Sequence, residues 1–248
     1  SLAPLVIRGK KLRGITYSLP VPSAQIKSAI LLAGLLAMGK TVIEQHQVSR
    51  DHTERLLKQM GAKIKTDNNY LSLMPLTAPL YPVNLSVPGD ISSAAYWLVA
   101  GAIHPNAKIK VVSCGVNPTR TGIIDVLLAM GAKIKVENQR LECNEPVADL
   151  FVESSQLKAV EIRGEIIPRL IDEIPVLAVA ACFAKGTTII KDASELRVKE
   201  SDRIATTIAE LSRLGARIEA LPDGMIIHGG NPLLGTEVKS HYDHRLAM

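Results

Sequence analysis

Met60-Gly61-Ala62-Lys63-Ile64, Met130-Gly131-Ala132-Lys133-Ile134 and Leu214-Gly215-Ala216-Arg217-Ile218 are three versions of one phrase. Each follows a segment of helical apolar periodicity (residues 53–59, 122–129 and 204–213) and precedes a short alternating run, the order of a helix, a glycine stop and a strand. A second strand follows each time. Upstream lies a matching block: a leading strand (14–19, 83–87 and 159–162), a helix of small apolar residues (24–37, 92–102 and 170–184) and a β-rich run (41–43, 109–112 and 187–190). A βαβαββ unit that recurs three times implies an α/β fold.

The first helix of each unit carries few charges and is apolar almost all round, so it is expected inside, covered by sheets. A fourth unit begins near Glu237. The proline-containing stretch 76–82 is the candidate link between domains, with the boundary near Tyr81, giving domains 1–81 and 82–248.

At 248 residues, 47% hydrophobic and 21% charged, the composition is that of a globular protein of one large or two modest domains. The longest apolar stretches, 29–38 and 174–184, fall short of the roughly 18–20 residues of a membrane-spanning helix. No secretory signal opens the chain, and the expectation is a cytoplasmic protein without a membrane partner. Ser1 is not an initiator Met and the chain stops at what reads as a helix start, so a piece of a longer protein is expected. Cys114, Cys143 and Cys182 lack metal-ligand spacing and read as reduced, mostly structural thiols. The net charge of +5 favours anionic partners without choosing among them.

Polar residues without an evident structural task collect at two equivalent places in each unit: the start of the first helix and the loop before the second. Ser23 and Gln25 stand at a helix N-terminus, whose N–H groups bind phosphate or carboxylate, while Ser23 also reads as an ordinary cap. Asp51 and Glu54 match a capping box. Arg50 opposes the helix dipole there unless an anion is bound. Arg120 holds the corresponding place in the second unit and reads as structural. In the third, Lys199 and Arg203 share a face if the segment is helical and repel by about 0.2–0.5 kcal/mol. With Arg197 nearby, that clustering suits a bound anion. Asp172 and Glu173 read as acids favourable at a helix N-terminus, but Asp172 is the repeat equivalent of Ser23 and Asp90, near the cavity of Glu200. Two carboxylates among cations can divide proton acceptance and donation.

Six segments carry a resemblance: Leu19-Pro-Val-Pro-Ser-Ala-Gln25, Arg50-Asp-His-Thr-Glu54, Val87-Pro-Gly-Asp-Ile-Ser-Ser-Ala-Ala95, Arg169-Leu-Ile-Asp-Glu-Ile-Pro175, Arg197-Val-Lys-Glu-Ser-Asp-Arg203 and Asp243-His-Arg245. In this order they resemble the 5-enolpyruvylshikimate-3-phosphate synthases over nearly the whole chain. The resemblance implies the enolpyruvyl transferase architecture of two domains, three units each, with this chain supplying the last unit of the first domain and most of the second. It also implies transfer of the enolpyruvyl group of phosphoenolpyruvate to the 5-hydroxyl of shikimate 3-phosphate, without metal or organic cofactor, in a monomer.

By the same resemblance Ser23, the Ala24 backbone, Gln25 and Arg50 hold shikimate 3-phosphate, Arg50 on its phosphate, with Asp172 and Lys199 also contacting this substrate. Gln25, Lys199, Glu200, Arg203 and Arg245 surround phosphoenolpyruvate. Asp172, Glu200 and Lys199 are the catalytic candidates, the two carboxylates exchanging protons. The family's N-terminal Lys-Ser and Arg elements, a first-domain Arg and a C-terminal Lys are absent from the chain, so the chain alone is expected to be inactive. Family inhibitors such as glyphosate act partly through that absent part.

Two other readings stand beside this one. The sister transferase acting on UDP-N-acetylglucosamine shares the chemistry, but its reactive cysteine loop is not visible. A basic nucleic-acid-binding domain would suit the charge, but single-strand binders use aromatic platforms, and only 3% of this chain is aromatic, scattered along it.

Overall fold

The structure, a computed structural model, describes residues 4–248. The chain divides into two compact bodies, with the division between Leu85 and Ser86.

The first body holds one repeat: β1 (Thr16–Ser18), α1 (Ala24–Gly34), β2 (Thr41–Glu44), α2 (His52–Gln59), β3 (Ile64–Asp67) and β4 (Tyr70–Leu73). Its sheet has the order β1-β2-β4-β3, with β1 parallel to β2 and the other pairs antiparallel. Leu31 of α1, Ile43, Leu57, Ile64, Leu71 and Leu73 form its core.

The second body opens with α3 (Ile91–Ile103), β5 (Lys108–Gly115), α4 (Gly122–Ala129), β6 (Lys133–Glu142) and β7 (Glu145–Glu153). It continues with β8 (Glu161–Ile162), α5 (Ile174–Phe183), β9 (Thr187–Ile190), α6 (Arg203–Arg213), β10 (Arg217–Leu221), β11 (Gly224–His228) and the short α7 (His244–Ala247). The third repeat reproduces the first: the order β8-β9-β11-β10 matches β1-β2-β4-β3, again with one parallel pair at the leading strand. α3 and α5 pack against each other in one core that spans both repeats and includes Leu98, Ile123, Leu127, Leu177 and Ile227.

The glycine phrase is a Schellman stop in all three copies. Gly61, Gly131 and Gly215 have φ of 94, 92 and 91°. In each, the glycine N–H donates to the carbonyl three residues back, and the following alanine donates to the carbonyl five back, as from Ala132 to Leu127 at 2.9 Å. A side chain at such φ meets its own carbonyl, so glycine is the residue that fits.

Three expectations fail for identifiable reasons. Residues 83–87 form no strand; Pro88 lacks an N–H for a ladder, and a lone parallel bridge from Gly89 to Cys114 stands where pairing would begin. α5 starts at Ile174 and not at 170, because the Pro175 ring is compatible only with the first turn of a helix, and residues 171–173 make a 3-10 turn instead. α1 ends at Gly34 and not at 37; the Leu35 N–H still donates to Leu31, but the Leu36 and Ala37 N–H groups turn to carbonyls three residues back.

Gly131→Ala tests the stop cleanly, since an added Cβ would meet nothing nearer than the Gln156 carbonyl oxygen at 3.6 Å and the cost is backbone strain alone. Urea unfolding is expected to show a loss of about 1–2 kcal/mol; an unchanged midpoint would mean that the left-handed turn does not constrain the sequence.

Candidate active site

In the first body the start of α1 and the loop before α2 meet around a buried lysine. Ser23 caps α1, its hydroxyl accepting from the Ile26 N–H at 3.3 Å. Ala24 is half-buried and Gln25 exposed on the first turn. Lys27, 1% exposed, places Nζ 2.6 Å from Glu54 Oε1 on α2 and donates to the Ser49 carbonyl at 3.3 Å and to Gln45 Oε1 at 3.5 Å. Ser28 and Thr53 hydroxyls join the same two helix starts at 2.7 Å. Arg50, half-buried, follows Ser49 directly. Asp51 and Glu54 do not form the expected capping box. Asp51 makes no cap hydrogen bond and accepts from Arg55 Nε at 2.9 Å, while Glu54 turns inward to the ammonium.

In the second body Arg203 is the centre. It begins α6, is 1% exposed, and its guanidinium donates to four carboxylate oxygens: Nε to Asp243 Oδ2 at 2.9 Å, Nη2 to Asp243 Oδ1 at 3.3 Å, Nη2 to Glu200 Oε2 at 2.6 Å and Nη1 to Asp172 Oδ1 at 3.2 Å. Burial works against the charge, but the hydrogen bond and charge of Asp243, joined by Glu200 and Asp172, outweigh it and hold the Arg203 pKa above its ordinary value. Lys199 bonds Glu195 and lies 4.0 Å from Asp172 Oδ1. Asp172, Lys199, Glu200 and Arg203 thus converge, with side-chain exposures of 16, 23, 50 and 1%.

Asp243 extends the centre to Arg245. Its Oδ1 accepts from the Arg245 N–H at 2.9 Å, capping α7, and its Oδ2 from the Ser201 hydroxyl at 2.9 Å. Burial pushes the Asp243 carboxyl up, but Arg203, the Arg245 N–H and Ser201 overcome this and leave its pKa lowered. Tyr96 of α3 donates to the Arg245 carbonyl at 3.0 Å; burial raises its phenol above the ordinary value against the opposing Arg245 charge.

Two further readings are corrected. Lys199 is extended (φ −79°, ψ −156°), so it shares no helical face with Arg203, and Asp172 stands between the two cations. Arg197 serves the fold: its guanidinium donates to the Pro222 and Leu221 carbonyls and to Asp202. Arg120 has the structural role expected of it, bonding Asp90 Oδ1 at 2.9 Å and the Ser92 hydroxyl, which in turn donates to Glu173.

Sequence reasoning passed over Lys27, Glu54 as its partner, and Asp243 as the anchor of Arg203. A signal existed for the first: Lys27 is the one charged residue in α1. Nothing local marks Asp243, whose partner lies 40 residues away.

Removing one partner of a buried charged pair costs about 3–5 kcal/mol, so Asp243→Ala is expected to lower the unfolding free energy of the second body by that amount in urea titration. Because the Asp243 pKa is depressed on folding, its contribution is complete above the unfolded value of about 4 and is lost as pH falls through the lower folded value. Asp243→Asn should therefore flatten the acid limb of stability against pH; an acid limb identical to that of the parent would exclude the pair as its source.

The protein-family model for EPSP synthase (3-phosphoshikimate 1-carboxyvinyltransferase) matches residues 1–248. A 3-phosphoshikimate 1-carboxyvinyltransferase of Gloeobacter violaceus is 58% identical over 246 residues, covering 99% of this chain and 57% of that protein. One from Crocosphaera subtropica is 54% identical over 249 residues, covering 100% of this chain and 55% of its own length. A solved EPSP synthase of Acinetobacter baumannii superposes with a TM-score of 0.89 at 44% identity, over 96% of this chain and 55% of that one. The chain therefore spans somewhat more than half the length of these relatives. A repeat architecture shared with a solved EPSP synthase and a family match from end to end place this chain in the EPSP synthase family.

Proposed function

We propose that the protein carrying this chain is a 3-phosphoshikimate 1-carboxyvinyltransferase acting as a monomer, joining phosphoenolpyruvate to shikimate 3-phosphate and releasing phosphate. The observation that carries the reading is the convergence of Asp172 and Glu200 on the Arg203 guanidinium, with Lys199 4.0 Å from the same Asp172 oxygen, in a chain of this family. On this reading the first body is the last unit of the N-terminal domain, and the second belongs to the C-terminal domain.

Ser23, the Ala24 backbone and Gln25 at the start of α1 hold shikimate 3-phosphate, with Arg50 on its phosphate, a charge-assisted contact of the strong kind. The resemblance assigns Asp172 and Lys199 to the same substrate. Gln25, Glu200, Arg203 and Arg245 take phosphoenolpyruvate. Arg203 is buried, and Glu200, half exposed, covers its Nη2; an incoming anionic oxygen displaces the Glu200 carboxylate and frees it for proton transfer.

A bond forms between the 5-oxygen and the enol carbon while the hydroxyl proton passes to one carboxylate and the methylene carbon gains a proton. The tetrahedral adduct then loses phosphate and a methyl proton, restoring the double bond. On this reading Asp172 and Glu200 exchange these protons. A thiol mechanism of the sister transferase finds little support in Cys114 and Cys182, which are buried and whose thiols burial pushes up to about 12 and about 11. Among the described residues no helix is long and apolar enough to cross a membrane.

Calorimetric titration of shikimate 3-phosphate tests the anion subsite. The 248-residue chain is expected to bind weakly and Arg50→Ala to lose about 1.5–3 kcal/mol, roughly 10- to 150-fold in Kd; equal heats from both would remove Arg50 from the site. Turnover by this chain alone should fall roughly 100-fold or more below that of a protein of the relatives' full length. Comparable rates would refute the assignment of part of the anion clamp to the remainder.

A further inference from the structure

Lys27 is the least expected charge in the first body, since a buried ammonium loses its hydration and must recover it from acceptors around it. An ammonium has three N–H donors, and here three acceptors face them: Glu54 on α2, the Ser49 carbonyl and the Gln45 side chain, from three different places in the chain. Glu54 Oε2 and Ser49 Oγ lie buried without a hydrogen-bond partner, so this contact is not a fully satisfied network. An apolar pair of equal volume would often stabilise as well or better. What such a pair could not do is hold three acceptors to one point.

The Ser49 carbonyl and the Arg50 N–H belong to one planar peptide unit, which rotates as a whole. Holding that carbonyl therefore fixes the point from which the Arg50 side chain departs. The other end of the contact is α1, two residues beyond Gln25 and four beyond Ser23. A buried side chain thus ties the helix start to the arginine loop, beside the Ser28–Thr53 hydroxyl pair.

We propose that Lys27 is a positioning residue for Arg50, holding it at the distance from the start of α1 at which the phosphate of shikimate 3-phosphate is gripped. This rests on the reading of Arg50 given under Proposed function. It goes beyond that reading by assigning the geometry of the subsite to a residue that does not touch the substrate.

The test uses a protein of the relatives' full length carrying Lys27→Met with Glu54→Met, which replaces the charged pair by hydrocarbon of similar volume, beside Arg50→Ala. The double variant is expected to keep its urea midpoint and to raise KM for shikimate 3-phosphate about tenfold. Its kcat and its KM for phosphoenolpyruvate should stay within about threefold, as expected when only binding of one substrate is weakened. An unchanged KM for shikimate 3-phosphate overturns the proposal. So does failure to fold, or a loss shared by both substrates and kcat, since either gives Lys27 a merely structural role. If Arg50→Ala itself leaves that KM unchanged, the reading of Arg50 fails and this proposal with it. If only Arg50→Ala raises it, the proposal fails alone.

Discussion

Two helices that begin side by side bring together ends of the same sign, each with unpaired N–H groups and a partial positive charge. Every repeat of this chain has that arrangement, and every repeat meets it with a carboxylate bound to a cation. In the first the pair is Glu54 with Lys27, in the second Asp90 with Arg120, in the third Asp172 with Arg203. Asp90 and Asp172 hold equivalent places, but Glu54 does not: the acid sits on the second helix in the first repeat and before the first helix in the others. What is kept is the physical requirement. The same requirement makes these ends receptive to anionic ligands, which is why the candidate subsites lie there.

The fold was legible where one residue type is the sole solution to a local problem. Three left-handed stops near φ 92° demand glycine, so Gly61, Gly131 and Gly215 announce themselves and fix the helices and strands on either side. The strand over 187–190 and the helix over 122–129 were read to the residue. The sequence misled where a local pattern depends on what surrounds it. Residues 83–87 look β-rich, but with Pro88 at their end they have no partner to complete a ladder.

The candidate site was legible as a set of positions and not as a set of contacts. Asp172, Lys199, Glu200 and Arg203 were singled out from a charge run and a repeat equivalence, and they do meet. How they meet was hidden, because the bonds run over 31 and 40 residues to Asp172 and Asp243. Arg197 shows the opposite failure: its place in the charge run suggested a ligand, whereas two backbone carbonyls beyond the following helix claim it. A charge run states which groups are near a loop; it does not state which of them face each other.

The two bodies use buried charge in different ways, and the difference bears on what each contributes. Arg203 donates to four carboxylate oxygens from one planar fork, so its geometry is fixed from several sides. Lys27 is a point charge on a flexible stem, and its surroundings leave Glu54 Oε2 and Ser49 Oγ without partners. The first keeps three carboxylates oriented about one cation. The second ties the loop before α2 to the start of α1, beside the Ser28–Thr53 hydroxyl pair. Stability alone would favour replacing both with hydrocarbon. What both arrangements fix is position: Arg203 among three carboxylates, and Lys27 between the start of α1 and the loop before α2.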